Sequence, residues 1–297
     1  MRKRRRQSCA SVWSESMARG SLNTRWTEPG SAMLTAALTA ALLATTAGLL
    51  IIETRAARAA SGESTRFIRA EHEAERLLAL ALVRLDSGEP LPAQGVLIES
   101  EDGARVLRQD ASGLIDANAA PPERLAALLV GVGVARDRAA QLADHIADWR
   151  DEDDLRRANG AESADYLSAG LSPPANRRFE TEGELSLVMG MTPELLPCVL
   201  PYLTTYSGQA DLDPAAAPPR LLDLLSLASI ERTAAQAPLG RVVALTAEAS
   251  ISDHAVIRRT IWVRLTGDPT RPVLTHRAAH ELAPRDAAPP GCGEVGQ

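Results

Sequence analysis

The sequence predicts an α+β protein in which a long N-terminal helix packs on an antiparallel sheet, and a large α-helical insertion interrupts that sheet. Three observations predict it. Residues 31–52 form a run of twenty-two residues without a charge. Apolar residues then recur at three- and four-residue spacing up to about Arg84. Short β-type runs lie early and late in the chain with helical sequence between them, as expected of one sheet holding an insertion.

The uncharged run would rise about 33 Å as a helix, enough to cross a bilayer core. Behind it lies a leader carrying Arg2, Lys3, Arg4, Arg5, Arg6, Arg19 and Arg25. Basic flanks stay on the cytoplasmic side, so the chain after Ile52 faces the periplasm or exterior. From the residues alone, three readings of the segment stand open: a signal peptide cut after Ala57-Arg58-Ala59, an uncut anchor, or a leader cut after Gly30 that leaves Ser31 as the new N-terminus. The apolar region is long for a signal peptide, and Glu53, Arg55 and Arg58 interrupt the approach to the first cut.

Beyond the span, Phe67, Ile68, Ala74, Leu77, Leu78, Ala81, Leu82 and Leu85 share a helix face. His72, Glu71, Glu73 and Glu75 lie on the other, read as solvated. Gly88 and Pro90 end this helix. Residues 95–100 and 104–108 read as a hairpin turning at Glu101-Asp102-Gly103. Residues 241–251 and 254–265 read as two strands turning at Ser252-Asp253, and residues 272–276 as a last strand. The stretch from Glu281, with Pro289-Pro290-Gly291, reads as a disordered tail.

The insertion, residues 112–236, opens with a helix-hairpin-helix-like unit. Asn118 or a neighbour is placed to cap a helix, Pro121 and Pro122 suit its first turn, and Gly131 and Gly133 permit a tight turn into a second helix over 135–146. The pattern returns more weakly at 187–194, and residues 213–222 echo 116–125. In many proteins such hairpins hold the DNA backbone, here with Arg136 and Arg138 as the cations. The charge balance argues against that. Removing the leader, with seven Lys/Arg and two Asp/Glu, takes the formal charge from −6 to −11, so no nucleic-acid partner is expected and the hairpins read as packing scaffold.

Between the units, Asp148, Asp151, Glu152, Asp153, Asp154, Glu162 and Asp165 gather hard oxygen ligands, the chemistry calcium requires. The loop is not an EF-hand: counted from Asp151, position five is Leu155 and no glycine follows. Trp149 reads as a core anchor for this loop. Catalytic signatures are absent from the sequence: the five histidines are scattered, no nucleophile elbow or phosphate loop occurs, and Lys3 is the one lysine, so no enzyme is expected. Cys198 and Cys292 share the exported part. A single disulfide is open to them in an oxidising compartment, although sequence separation does not give distance.

The stretch Gly30-Ser31-Ala32-Met33-Leu34-Thr35-Ala36-Ala37-Leu38 is similar to the start of mature pilins and pseudopilins, with Thr35 where most carry Glu. Lacking that glutamate, the chain resembles the minor pseudopilin K family of type II secretion systems. The order Asp148-Trp149, Asp151, Asp153, then Gly160-Ala161-Glu162, Tyr166, Asn176-Arg177 and Phe179 is similar to the same family. Glu28 and Pro29 depart from the basic residue common before the cleaved glycine, Ser163-Ala164 separate Asp165 from Glu162, and Met17 offers a later start.

The resemblance implies a pilin-like domain over 53–111 and 237–280, with 1–30 as leader, 31–52 as the transmembrane part, 112–236 as insertion and 281–297 as tail. It implies cleavage between Gly30 and Ser31 by a prepilin peptidase, with methylation of the new terminus. It implies calcium held by Asp148, Asp151, Asp153, Glu162 and Asp165. The protein would span the bacterial inner membrane once, its globular part periplasmic. It would cap and initiate a pseudopilus with the minor pseudopilins I and J, the major pseudopilin and the inner-membrane assembly platform. In a pilus, the missing glutamate would pair with a neighbour's N-terminal amine, a charge costly to leave unpaired in lipid; Thr35 cannot do this, which suits a tip subunit. The alternative is a membrane-anchored periplasmic helix-hairpin-helix protein that binds DNA.

Overall fold

The computed structural model describes residues 29–227, 239–268 and 270–284, leaving out the side chains of 29–32 and 56–61. The leader before Pro29, Cys9, Cys292, residues 228–236 of the insertion and the tail from 285 lie outside the described residues, as do the side chains of Gly30 and Ser31. The chain divides into two units, Met1–Ser61 and Gly62–Gln297.

In the first unit, helix α1 (Pro29–Asp86) begins one residue before Gly30, so the Gly30–Ser31 bond lies in its first turn. Its stretch Met33–Arg55 is long and apolar enough to cross a membrane. Met33, Leu34, Leu38, Leu42, Leu43, Leu49 and Ile52 are all exposed. A helix apolar on every side suits lipid rather than a one-sided protein core. The threonine hydroxyls are consistent with that solvent. Thr39 Oγ1 donates to Ala36 O at 2.9 Å, Thr45 Oγ1 to Leu42 O at 2.8 Å and Thr46 Oγ1 to Leu43 O at 3.0 Å, so these hydroxyls are satisfied by the helix's own carbonyls.

The second unit holds the rest of α1, then β1 (Gln94–Glu99), β2 (Arg105–Asp110), β3 (Ile115–Asp116), α2 (Pro122–Gly131), α3 (Arg136–Arg150), α4 (Ser163–Ser168), α5 (Leu196–Val199), β4 (Leu203–Thr204), α6 (Pro219–Leu224), β5 (Val242–Ser250), β6 (Ala255–Leu265) and β7 (Val273–Pro284). The main sheet is antiparallel, in the order β1-β2-β5-β6-β7. Because β2 pairs with β5, everything from β3 to α6 is inserted between two neighbouring strands. On α1, Ala70, Ala74, Leu77, Leu78, Ala81 and Leu85 form one buried stripe. Alternate residues of β5, Val243, Leu245, Ala247 and Ala249, face the same core. Burying Leu77 alone contributes about 2 kcal/mol. Arg259 of β6 closes the edge of this core, donating to Glu75 Oε1 of α1 at 2.6 Å.

The helical insertion has its own core around Leu125, Leu128, Leu129, Leu142, Ile146, Leu195 and Leu221. Its parallel pair joins Ile115 to Leu203. Side-chain bonds fasten it to the sheet: Gln109 Nε2 donates to Ala216 O at 3.0 Å, and Arg277 Nη1 to Glu182 Oε2 at 2.9 Å. The echo between 116–125 and 213–222 has a structural counterpart. Asp116 Oδ1 accepts from Asn118 N, Asp213 Oδ1 accepts from Ala215 N, and each turn leads through a Pro-Pro pair into a helix. The ends of those helices, α2 and α6, meet at Gly131, where a Cβ would lie 2.7 Å from Leu224 O.

Four expectations need correction. β7 extends to Pro284, well past His276 and four residues into the segment read as tail, because it pairs with β6 from Val273 to Pro284 through backbone bonds that leave no hydrophobic signal. Asn118 is not a helix cap. The cap position is Pro121, while Asn118 bonds both ways with the Phe179 backbone, Nδ2 to Phe179 O at 2.9 Å and Phe179 N to Oδ1 at 2.7 Å. Helix α3 runs to Arg150, one turn beyond the expected end, since Asp148 and Trp149 are themselves buried. The stretch 187–194 joins a 3-10 turn, Glu182–Leu187, to the four-residue α5 rather than two full helices. Cys198 is buried and disulfide-bonded, and the other two cysteines of the chain lie outside the described residues.

Candidate functional site

The acidic loop is built on the C-terminal turn of α3. Trp149 is buried there, stacked on Phe179 with ring centroids 6.3 Å apart and 5.7 Å from the Tyr166 ring. Burial pushes the Tyr166 hydroxyl up to about 12, and its oxygen accepts from Met189 N at 3.0 Å. Arg150 holds the same helix end from the other side, donating to Ala117 O at 2.5 Å and Ala120 O at 2.7 Å. These anchors fix Asp148, which is fully buried.

The chain after α3 wraps back over Asp148. Arg157 N donates to Asp148 Oδ2 at 3.2 Å, and Asn159 Nδ2 to Asp144 Oδ2 at 3.1 Å. Gly160 passes so close that a Cβ there would overlap Asp148 Oδ2. Glycine is required at this position by the approach of the carboxylate.

The structure separates the five expected ligands into two groups. Asp148, Asp151 and Glu162 carry buried oxygens without a hydrogen-bond partner: Asp148 Oδ1, Asp151 Oδ1 and both oxygens of Glu162. Asp153 is partly committed, its Oδ1 accepting from Leu155 N at 2.8 Å. Asp165 is turned to other work, with Oδ2 accepting from Glu162 N at 3.0 Å and Oδ1 facing Arg156 Nη1 at 3.3 Å. Arg157 escaped the sequence reading, and the contacts of Asp154 and Asn176 emerge only in the structure. Asp154 Oδ1 accepts from Asn176 Nδ2 at 3.0 Å, and Asn176 has a buried, unpartnered Oδ1 and a φ of 47°, a conformation asparagine tolerates better than most residues. Arg157 places Nε 3.2 Å from Asp148 Oδ1 and Nη2 3.5 Å from Asp151 Oδ2.

The electrostatics follow from burial. Glu162 is pushed up to about 7, first by burial and then by the fields of Asp148, Asp151, Asp154 and Asp153. Asp148 and Asp151 are also raised, burial again the largest cause. As the side chains stand, no three Asp, Glu, His or Cys groups among the described residues are gathered closely enough to hold a metal ion. The donor chemistry nonetheless fits one. Asp151 Oδ1 and both Glu162 oxygens are buried without hydrogen bonds, and Asp148 Oδ1 faces a single guanidinium; mutually repelling carboxylates of this kind are the arrangement a hard cation relieves.

Residues 104–208, which contain β2, α2, α3, the acidic loop and α4, match the family model described as type II secretion system (T2SS), protein K. Over this stretch the chain is similar to type II secretion system protein K. It is 36% identical over 76 residues to that protein of Dickeya chrysanthemi, covering 26% of this chain and 21% of the relative, and 36% identical over 86 residues to that of Pectobacterium carotovorum subsp. carotovorum, covering 28% and 26%. The matched stretch thus spans about a quarter of the length of these curated relatives. Among solved structures, it is similar to a chain in the GspK-GspI-GspJ complex of the enterotoxigenic Escherichia coli type 2 secretion system, with a TM-score of 0.46 and 16% identity, covering 77% of this chain and 99% of that one.

Proposed function

We propose that this protein is a minor pseudopilin, the K component of a type II secretion system. It is anchored in the bacterial inner membrane by residues 31–52, with its globular part in the periplasm. There it caps and initiates the pseudopilus with the minor pseudopilins I and J, above the major pseudopilin and on the inner-membrane assembly platform, to support export of folded proteins across the outer membrane. The observation that carries this reading is the protein K match over 104–208 in a chain that also carries an exposed apolar helix. Two physical features agree with a terminal place in the fibre. Thr35 brings no carboxylate to neutralise an amine in lipid, and the insertion between β2 and β5 adds bulk that obstructs stacking of a further subunit.

The acidic loop belongs to the same reading as a calcium site. Asp148, Asp151 and Glu162 would hold the ion, with Asp153 adjoining. A bound cation would supply the positive charge that pins the 151–162 loop to α3. Asp165, in the first turn of α4, accepts from the backbone N–H of the cap residue Glu162 and pairs with Arg156, and we leave it outside the ligand set.

Intact mass and N-terminal sequence of the membrane-extracted protein, with and without a co-expressed prepilin peptidase, test the assignment. A chain starting at Ser31 only when the peptidase is present is expected. An uncut leader, or a chain starting at Ala60, overturns the pseudopilin reading. Co-purification with the I and J pseudopilins then tests the place in the fibre.

A further inference from the structure

We propose that Arg157 is a displaceable counter-cation of the acidic loop: its guanidinium holds Asp148 and Asp151 until a divalent cation takes them, so that cation binding and release of Arg157 are one exchange. The proposal rests on the cation site described above and adds a competitor inside it.

The geometry is specific. Arg157 presents one edge of its fork to two acids at once, Nε to Asp148 Oδ1 at 3.2 Å and Nη2 to Asp151 Oδ2 at 3.5 Å. Asp148 Oδ1 meets the guanidinium without a hydrogen bond, and Asp151 keeps a second buried oxygen, Oδ1, that accepts none. Its partners differ sharply in exposure. The Asp148 side chain has no contact with solvent, whereas 44% of the Arg157 side chain is exposed. The guanidinium can therefore swing into water on its flexible stem, while Asp148 has no such exit. The loop need not unravel when it does, because the bond from Arg157 N to Asp148 Oδ2 belongs to the backbone and remains.

Charge count points the same way. One guanidinium faces Asp148 and Asp151, with Asp153, Asp154 and Glu162 in the same field. Other nearby arginines are committed elsewhere: Arg150 to the carbonyls of Ala117 and Ala120, Arg156 to Asp165. A single positive charge leaves both oxygens of the buried Glu162 unpartnered. A divalent cation brings twice the charge and can accept oxygens from several sides, which a planar fork cannot.

Calcium titration of the full-length, chelator-stripped protein in detergent, by isothermal calorimetry, tests this. Wild type and Asp148→Asn first decide whether the site exists: calcium bound by wild type and lost in D148N establishes it independently of Arg157. Arg157→Gln should then bind calcium about two- to fivefold more tightly than wild type, the range expected for removing a half-exposed competing ion pair. Arg157→Lys, which keeps the charge but loses the fork, should fall between them and serves if R157Q does not fold. Without calcium, R157Q should melt below wild type, and with saturating calcium the difference should vanish. Calcium bound by R157Q while wild type binds none would also support the exchange. Unchanged or weaker binding in both Arg157 variants, with the site intact in wild type, overturns the exchange and makes Arg157 a fixed part of the loop. Binding by none of the proteins overturns the cation site and the exchange together.

Discussion

Replacing Glu162 with Gln should stabilise the cation-free protein above neutral pH, although it removes a carboxylate that the cation site uses. The Glu162 carboxyl is pushed up to about 7 in the folded protein, above its ordinary 4.5, by burial and the surrounding aspartates. Between those two values the folded state keeps a proton that the unfolded state has released. Stability therefore falls as pH rises from about 4.5 through about 7, and the loss is complete above it. The interval corresponds to at most about 3 kcal/mol, because Glu162 itself is only 6% exposed while solvent screens its partly exposed neighbour Asp151. Asp148 and Asp151 are raised in the same direction, so the Glu162 share is isolated as the difference between wild type and E162Q. Thermal or urea unfolding of the full chain in EDTA, at half-unit steps from pH 5 to 8, measures it. Wild type should lose stability over that range. E162Q should lose less, and at pH 8 it should melt up to about 6–12 °C higher. Saturating calcium should reverse the order at pH 8, because the ionised carboxylate is the form a cation binds. A flat wild-type profile from pH 5 to 8 in EDTA, or an E162Q variant no more stable than wild type at pH 8, refutes the argument.

Gly160→Ala should destabilise the protein by about 1–3 kcal/mol and weaken calcium binding, since the added methyl overlaps the Asp148 carboxylate; a melting curve unchanged from wild type would refute the close approach. Arg150→Ala strands the carbonyls of Ala117 and Ala120 and should cost about 3 kcal/mol in urea unfolding, whereas a loss under 0.5 kcal/mol would show that water replaces the guanidinium. Cys198 should resist alkylation in the non-reduced, processed protein. Peptide mapping should pair it with Cys292, because Cys9 leaves with the leader; a loop of this length adds roughly 4–5 kcal/mol on chain-entropy grounds, seen as a lower melting point in reductant. A free Cys198 thiol in that sample would refute the pairing.

How much of this was legible in the sequence depends on how local each feature is. The buried stripe of α1 and the strands β1, β2, β5 and β6 announce themselves through spacing, because Leu77, Leu78, Leu85, Val243 and Leu245 each follow the period of their own element. β7 does not. It is an edge strand whose His276, Arg277, His280 and Glu281 offer no apolar alternation, and its length is dictated by its ladder with β6. The β3–β4 pair is equally silent, two residues on each side, with Ile115 meeting Leu203 far along the chain. In the acidic loop, composition identifies the carboxylates and Trp149 as their anchor. It cannot say that Asp165 would be drawn off to Glu162 N and Arg156, or that Arg157 would fold back onto Asp148. Those outcomes depend on the path of twelve residues between two helices, which no periodic pattern encodes.

The placement of the insertion bears on how such a chain changes over time. It leaves the sheet at Asp110 and returns at Val243, and these two residues are ladder partners. The ends of the inserted segment are thus held side by side by strands that pair for reasons of their own. The entropy of closing a loop grows only with the logarithm of its length, so the sheet is nearly indifferent to whether that loop is a short turn or a domain. A lineage can therefore enlarge, trim or exchange the helical part without renegotiating the strands. The two cores should also behave as separate cooperative blocks, with mutations such as Leu128→Ala and Leu245→Ala registering in different steps of the same melt.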